Sequence, residues 1–225
     1  MQVHPPSLIR APLGARTIEL RAPSPRDAAA LVEAIDASVP ALRRFMPWAH
    51  LEQTVERQYA RLVEVQREFW GDGFKTYHLW EGARMLGCAG LHDRTLNSRG
   101  AELGYWTRSD VAGQGVGTLA ARVLVVVAVE HLELERLQLL YLASNHGSRR
   151  IAEKCGFQIE GRMRCFQTAP TSEQRADGMS DERVTVITAL LRDEARALPW
   201  YAPLRAALEL YDWDGAPLEL ARAGD

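Results

Sequence analysis

Lysine is almost missing: only Lys75 and Lys154 occur among the 27 basic residues of this 225-residue chain. Arginine supplies the remaining positive charge, and 29 acidic residues bring the net charge to −2. Without a basic excess, no general nucleic-acid partner is expected. Cysteine is scarce too. Cys88, Cys155 and Cys165 are odd in number and lack metal-ligand spacing, so no metal is expected and a reduced, cytoplasmic setting fits best. Long hydrophobic runs are also missing. The longest, "LAARVLVVVAV" at residues 119–129, contains Arg122 and is too short to span a bilayer. The beginning, "MQVHPPSLIRAPLGAR", has no apolar core of signal-peptide length, so no membrane association is expected. What remains is ordinary globular composition, 47% hydrophobic and 25% charged, in a chain long enough for one substantial core.

The order of elements is informative. Residues 1–16 read as an irregular arm and "TIELR" at 17–21 as a strand. In "PSPRDAAALVEAIDAS" Ser24 or Asp27 can cap a helix and Pro25 suits its first turn. A second helical pattern runs over 54–69 after a break at Pro47, and Gly71, Asp72 and Gly73 read as a turn. "TYHLWE" and "MLGCAGLHD", joined through "EGAR", predict a hairpin, and "AELGYWTR" a further strand. The run at 119–132 is ambiguous, because its β-branched residues favour a strand while its length and Ala-rich start favour a buried helix. Helix is the expectation adopted. "LQLLYLAS" predicts a strand, "NHGSRRIAEKC" a helix stopped by Gly156, and "FQIEGRMRCF" and "RVTVITALL" two strands separated by a polar connection at 167–182. The pattern is neither βαβα alternation nor all-β, and so indicates a mixed α/β sheet with helices on both faces. A C-terminal extension, 193–225, carries an amphipathic stretch that would dock on the domain or on a second subunit, leaving a homodimer open.

The segment "DVAGQGVGT" places Gly113, Gly115 and Gly117 at alternate positions just before the helical run. Glycines allow close backbone approach, and free N–H groups at a helix start bind phosphate. The alternative is a tight turn into a packed helix. The P-loop lysine is absent, and the dinucleotide spacing G-x-G-x-x-G fails.

The loop resembles the R/Q-x-x-G-x-G/A acetyl-CoA motif of the GNAT acyltransferases. Four segments in order, "MPWAH", "AELGYW", "GQGVGT" and "NHGSRRIAEKCGF", resemble the RimJ/RimL group in particular, over roughly residues 15–192. The resemblance implies an α/β GNAT fold over 17–192: a mixed, mostly antiparallel central sheet of six to seven strands with helices on both faces. It implies an N-acetyltransferase using acetyl-CoA, with a protein N-terminus or a small-molecule amine as acceptor and direct transfer in a ternary complex. A non-catalytic CoA-binding module is the alternative, kept open by Ala112 at the motif's Arg/Gln position and Gln167 where relatives in the group carry a glutamate.

By the same resemblance, Tyr105, Trp106 and Thr107 lie on a strand that splays from the one ending at Tyr141, with acetyl-pantetheine in the gap. The loop residues Ala112, Gly113, Gln114, Gly115, Val116, Gly117 and Thr118 would cradle the pyrophosphate. Asn145 would contact the pantetheine arm, with plain helix capping as its other reading, and Ser148 would protonate the leaving thiolate, since Ala152 stands where many GNATs carry a tyrosine. Glu102 is the candidate general base, acting through water, with a surface glutamate and selection of the neutral amine as the alternative; Trp48 is the candidate wall of the acceptor pocket or else a core plug. His50, His78 and His92 are dispersed and read as ordinary polar or half-buried residues; Arg149 and Arg150 could meet a CoA phosphate.

Overall fold

The structure is a computed structural model describing residues 4–71, 75–92 and 99–220. Asp72 and Gly73 of the expected turn, and Asp93 at the end of the expected hairpin, lie outside the described residues. In chain order the elements are β1 (Leu8–Leu13), β2 (Arg16–Arg21), α1 (Ala28–Asp36), α2 (Val39–Arg43), α3 (Val55–Trp70), β3 (Lys75–Glu81), β4 (Arg84–His92) and β5 (Gly100–Thr107). There follow α4 (Val116–Glu130), β6 (Arg136–Leu142), α5 (His146–Cys155), β7 (Gln158–Arg164), α6 (Ser172–Ala176), β8 (Val184–Leu191), α7 (Arg192–Ala197), α8 (Tyr201–Ala207), β9 (Glu209–Tyr211) and β10 (Pro217–Leu218).

One ten-stranded sheet runs through the described residues in the order β10-β9-β1-β2-β3-β4-β5-β6-β8-β7. Every neighbouring pair is antiparallel except β5 and β6. The sheet is longer than the six to seven strands expected because both ends of the chain join it. The N-terminal arm is not irregular. Ile9 and Ala11 alternate inward while β1 pairs along its whole length with β2. Pro12 disguises the strand in the sequence, but the ladder to β9 ends at Arg10, so the missing donor falls where no partner strand runs. The C-terminal extension docks on its own domain through β9 on β1 and α8 on α4.

Two cores line the two faces of the sheet. On one, α1 and α3 pack over β4 and β3, burying Leu31, Ile35, Leu62, Trp80 and Met85. Ser24 opens this layer with a capping box closed by Asp27, and Thr54 caps α3 by accepting the Arg57 N–H. On the other face α4 packs over β5, β4 and β1, with α5 and α8 against it. That enclosure explains the strand-like composition of α4: its residues from Val123 to Glu130 are all buried, and burial overrides β-propensity. At its end the buried Glu130 carboxylate accepts from Tyr201 Oη at 2.7 Å and Arg196 Nε at 3.0 Å, tying the C-terminal helices to the core. Burial alone would raise the Glu130 carboxyl, yet the Arg196 and Tyr201 hydrogen bonds hold it below its ordinary value.

Candidate active site

The parallel pair β5–β6 is joined at only three positions, Gly100–Arg136, Ala101–Leu137 and Glu102–Gln138. Beyond them β5 continues along β4 to Thr107, and β6 continues along β8 to Leu142. The two strands therefore part at Glu102, and a cavity of about 870 Å³ opens in the fork. Side chains alternate across β5. Ala101, Leu103 and Tyr105 turn toward the α4 core, whereas Trp106 joins the α1/α3 core. The cavity thus has a lobe on each side of the sheet.

The α4 lobe begins at the glycine loop. Gly113 and Gly115 take left-handed backbone conformations, with φ of 77° and 87°. Gly117 is needed for a different reason: a Cβ there would stand 3.0 Å from Ile151 Cδ1 on α5. The N–H groups of Val116, Gly117 and Thr118 open α4 and have no intrahelical acceptor, so they and the helix dipole face the cavity mouth. Ala112 and Gly113 line the same lobe, but Gln114 does not. Its N–H is taken by the Val111 carbonyl, and its side chain binds the Asp110 carbonyl and Arg16. Of the loop residues expected at the cofactor, Gln114 alone is absent from the cavity wall, its side chain held outside by Arg16 and the Asp110 carbonyl. Ala112 likewise spends its N–H on the Ser109 carbonyl.

Asn145 caps α5, its Oδ1 accepting the Ser148 N–H at 3.1 Å. Ser148 Oγ and Tyr105 Oη lie 2.9 Å apart, joining α5 to β5 across the cleft. Burial raises the Tyr105 phenol, so this pair holds its protons at neutral pH. Two cations reach the mouth of this lobe from α5: Arg150 and Lys154, one helical turn apart. Arg149 instead pairs with Glu153 at 2.8 Å. Lys154 was not among the sequence candidates, although its spacing from Arg150 was the available signal.

The other lobe is walled by α1, α2 and α3 through Leu31, Ile35, Leu42, Leu62 and Val65, with Phe45, Met46 and Trp48 from the following segment. Trp48 packs on Trp106, their ring centroids 6.0 Å apart. The floor is the sheet itself. Glu102, at the fork, accepts from Gln138 Nε2 at 3.4 Å and stands opposite His92 on β4. Gly90 and Gly104 leave room for the His92 ring: a Cβ on either would come within 3.1–3.2 Å of it. Beside them His78, Cys88 and Trp106 form one cross-strand row. The half-buried Cys88 thiol is pushed up to about 12 by burial, so it stays neutral. His78 and His92 are therefore both cavity residues, which their scatter along the sequence concealed.

The connection at 167–182 closes one edge. It holds the short helix α6, and it is strapped to the α2 segment by Asp177 with Arg43 at 3.3 Å and by the Ser180 N–H on the Arg44 carbonyl at 3.0 Å. Gln167 lines the cavity from this side. Among the described residues no cluster of metal-type ligands forms, and no helix is long and apolar enough to cross a membrane.

The family model described as acetyltransferase (GNAT) domain matches residues 17–158. The chain belongs to this acetyltransferase family. A GNAT member is an acyltransferase with acetyl-CoA as co-substrate, and that holds for this chain. A curated relative, "Putative ribosomal N-acetyltransferase YdaF" of Bacillus subtilis (strain 168), is 30% identical over 149 residues, 65% of this chain and 81% of that protein. A solved structure described as a probable acetyltransferase is 26% identical, with a TM-score of 0.71 over 82% of this chain and 98% of its own. Mycobacterium smegmatis RimJ in complex with CoA-disulfide shares the fold at a TM-score of 0.76, 19% identity, 93% of this chain and 99% of its own. The GNAT fold expected from the sequence is the one observed.

Proposed function

We propose that this GNAT protein acetylates a primary amine, and that its acceptor is the α-amine of a protein N-terminus. The observation carrying this reading is the fork at Glu102, which opens a two-lobed cleft with backbone donors on one side and carboxylate and imidazole side chains on the other. The glycine loop and the first N–H groups of α4 hold the pyrophosphate of acetyl-CoA, and Arg150 and Lys154 meet its phosphates. The residues fit that ligand: Gly113, Gly115 and Gly117 put no side chain on the cavity wall, and the helix start is open to the cavity.

The amine nitrogen attacks the thioester carbonyl carbon, the C–S bond breaks, and the acetyl group passes directly to nitrogen. Glu102 takes the proton lost by the amine, with His92 beside it. Ser148, held by its hydrogen bond to Tyr105, gives a proton to the departing thiolate and regains one from solvent, to which Glu102 releases the proton it took from the amine. Backbone N–H groups of the free end of β5 face the oxyanion. The name of the relative YdaF supports a protein acceptor. A small amine fits the same chemistry.

Calorimetric titration with acetyl-CoA, with NAD as control, tests the donor side. One site per chain is expected for acetyl-CoA and none for NAD. Thiol release measured over a panel of N-terminal peptides and small amines then tests the acceptor; release with small amines alone would overturn the protein-acceptor reading.

A further inference from the structure

At the far end of the acceptor lobe, two strands away from the fork, a second polar device lines the cavity. His78 is 1% exposed, and its Nδ1 lies 2.6 Å from Asp27 Oδ2. The same oxygen accepts the Ser24 N–H at 3.1 Å in the capping box that opens the α1 layer. A carboxylate oxygen that accepts from the ring orients Nδ1 as the donor, and in the neutral tautomer so fixed Nε2, on the opposite edge of the ring, is the acceptor. The tether alone would explain a buried ring. It does not explain why that ring lines the cavity, in cross-strand register with Cys88 and in one row with Trp106. An oriented acceptor among mostly apolar walls is how a pocket fixes ligand orientation.

The spacing defines what it can read. His78, Cys88 and Trp106 occupy one row on β3, β4 and β5, so His78 lies about 10 Å from the fork strand at two inter-strand spacings. The space between is walled by Phe45, Trp48 and Leu62, with the neutral Cys88 thiol on its floor and Arg61 of α3 as a charged member of the lining. A second ammonium would lose hydration there and meet the like charge of Arg61. We propose that His78, oriented by Asp27, is a specificity-determining residue: it accepts a hydrogen bond from a hydroxyl at the far end of an apolar, aromatic spacer carried by the acceptor amine. The inference rests on the acetyl-transfer reading above, and it narrows the acceptor to amines bearing a hydroxyaryl group.

Matched acceptors isolate this contact: tyramine against phenethylamine, and peptides beginning with tyrosine against the same peptides beginning with phenylalanine. The full chain should prefer the hydroxylated member by roughly 10-fold or more in kcat/KM, since a buried acceptor left unpaired penalises the other. In His78→Leu that ratio should fall to about 1, because the loss falls mainly on the hydroxylated member. His78→Gln, whose amide oxygen can accept, should restore part of the preference. A merely structural His78 would lower both acceptors together. A ratio near 1 in the parent chain, an unchanged ratio in His78→Leu, or acetyl-CoA binding without turnover of any of the four acceptors would overturn the inference. Absence of acetyl-CoA binding would instead overturn the reading beneath it.

Discussion

The two lobes of the cleft are built from different materials. The α4 lobe presents backbone: positive-φ glycines, the first N–H groups of a helix, and a single hydroxyl pair, Tyr105 and Ser148. The α1/α3 lobe presents side chains from at least four elements, with Glu102, His92 and His78 on three adjacent strands and Trp48 between helices. Backbone donors suit a ligand part shared by every turnover, because they need only a loop geometry. A variable acceptor calls for shape and selectively placed polar atoms, which only side chains supply. The comparison teaches that donor affinity and acceptor chemistry should be separable by mutation.

The largest separation is expected at the fork. Glu102→Gln should lower kcat/KM by about 10²–10³-fold while leaving the acetyl-CoA dissociation constant within about twofold; equal losses in both would show the lobes to be coupled. Next comes the hydroxyl pair. Ser148→Ala should reduce kcat by about 10²-fold and Tyr105→Phe by less, if serine is the group nearest the sulfur. The reverse order, measured with the same acceptor, would move that role to the tyrosine. Lys154→Ala combined with Arg150→Ala should weaken acetyl-CoA binding by about 10-fold, in a salt-dependent way, with kcat unchanged at saturation. Trp48→Ala should raise the KM for the acceptor severalfold, leaving acetyl-CoA titrations as they were.

A control away from both lobes sharpens the contrast. Glu130→Gln leaves Arg196 without its buried anion and should cost about 1–3 kcal/mol of stability, read by chemical denaturation, with catalytic constants unaltered in the folded fraction. The folded carboxyl is held below its unfolded value. Its contribution is therefore complete above the ordinary carboxylate range and is lost as pH falls through the folded value. The variant and the parent chain should accordingly converge in stability on acidification.

Much of the α4 lobe was legible because its signals are local. Three alternating glycines, an Asn-x-x-Ser helix start and a glycine stop lie within short windows, and each names its own backbone conformation. Gln114 marks the limit of such signals: proximity in the motif does not reveal that its N–H closes the turn and its side chain lies off the cavity wall. In the other lobe, Glu102 and Trp48 were picked out, whereas His78 and His92 looked scattered. Their common face arises from β-sheet register, and register depends on which strands pair. The β1 strand was hidden by Pro12, and its partner β9 lies about two hundred residues away in the chain.

From the chain alone came most of the helix and strand order, the glycine-loop motif and the family, because each is a matter of composition or short-range spacing. The tertiary structure decided where β5 and β6 part, which face Glu102, His92 and His78 share, and that both termini extend one sheet. Those features depend on pairings between distant segments, and no local stretch of sequence encodes the energy of such a contact.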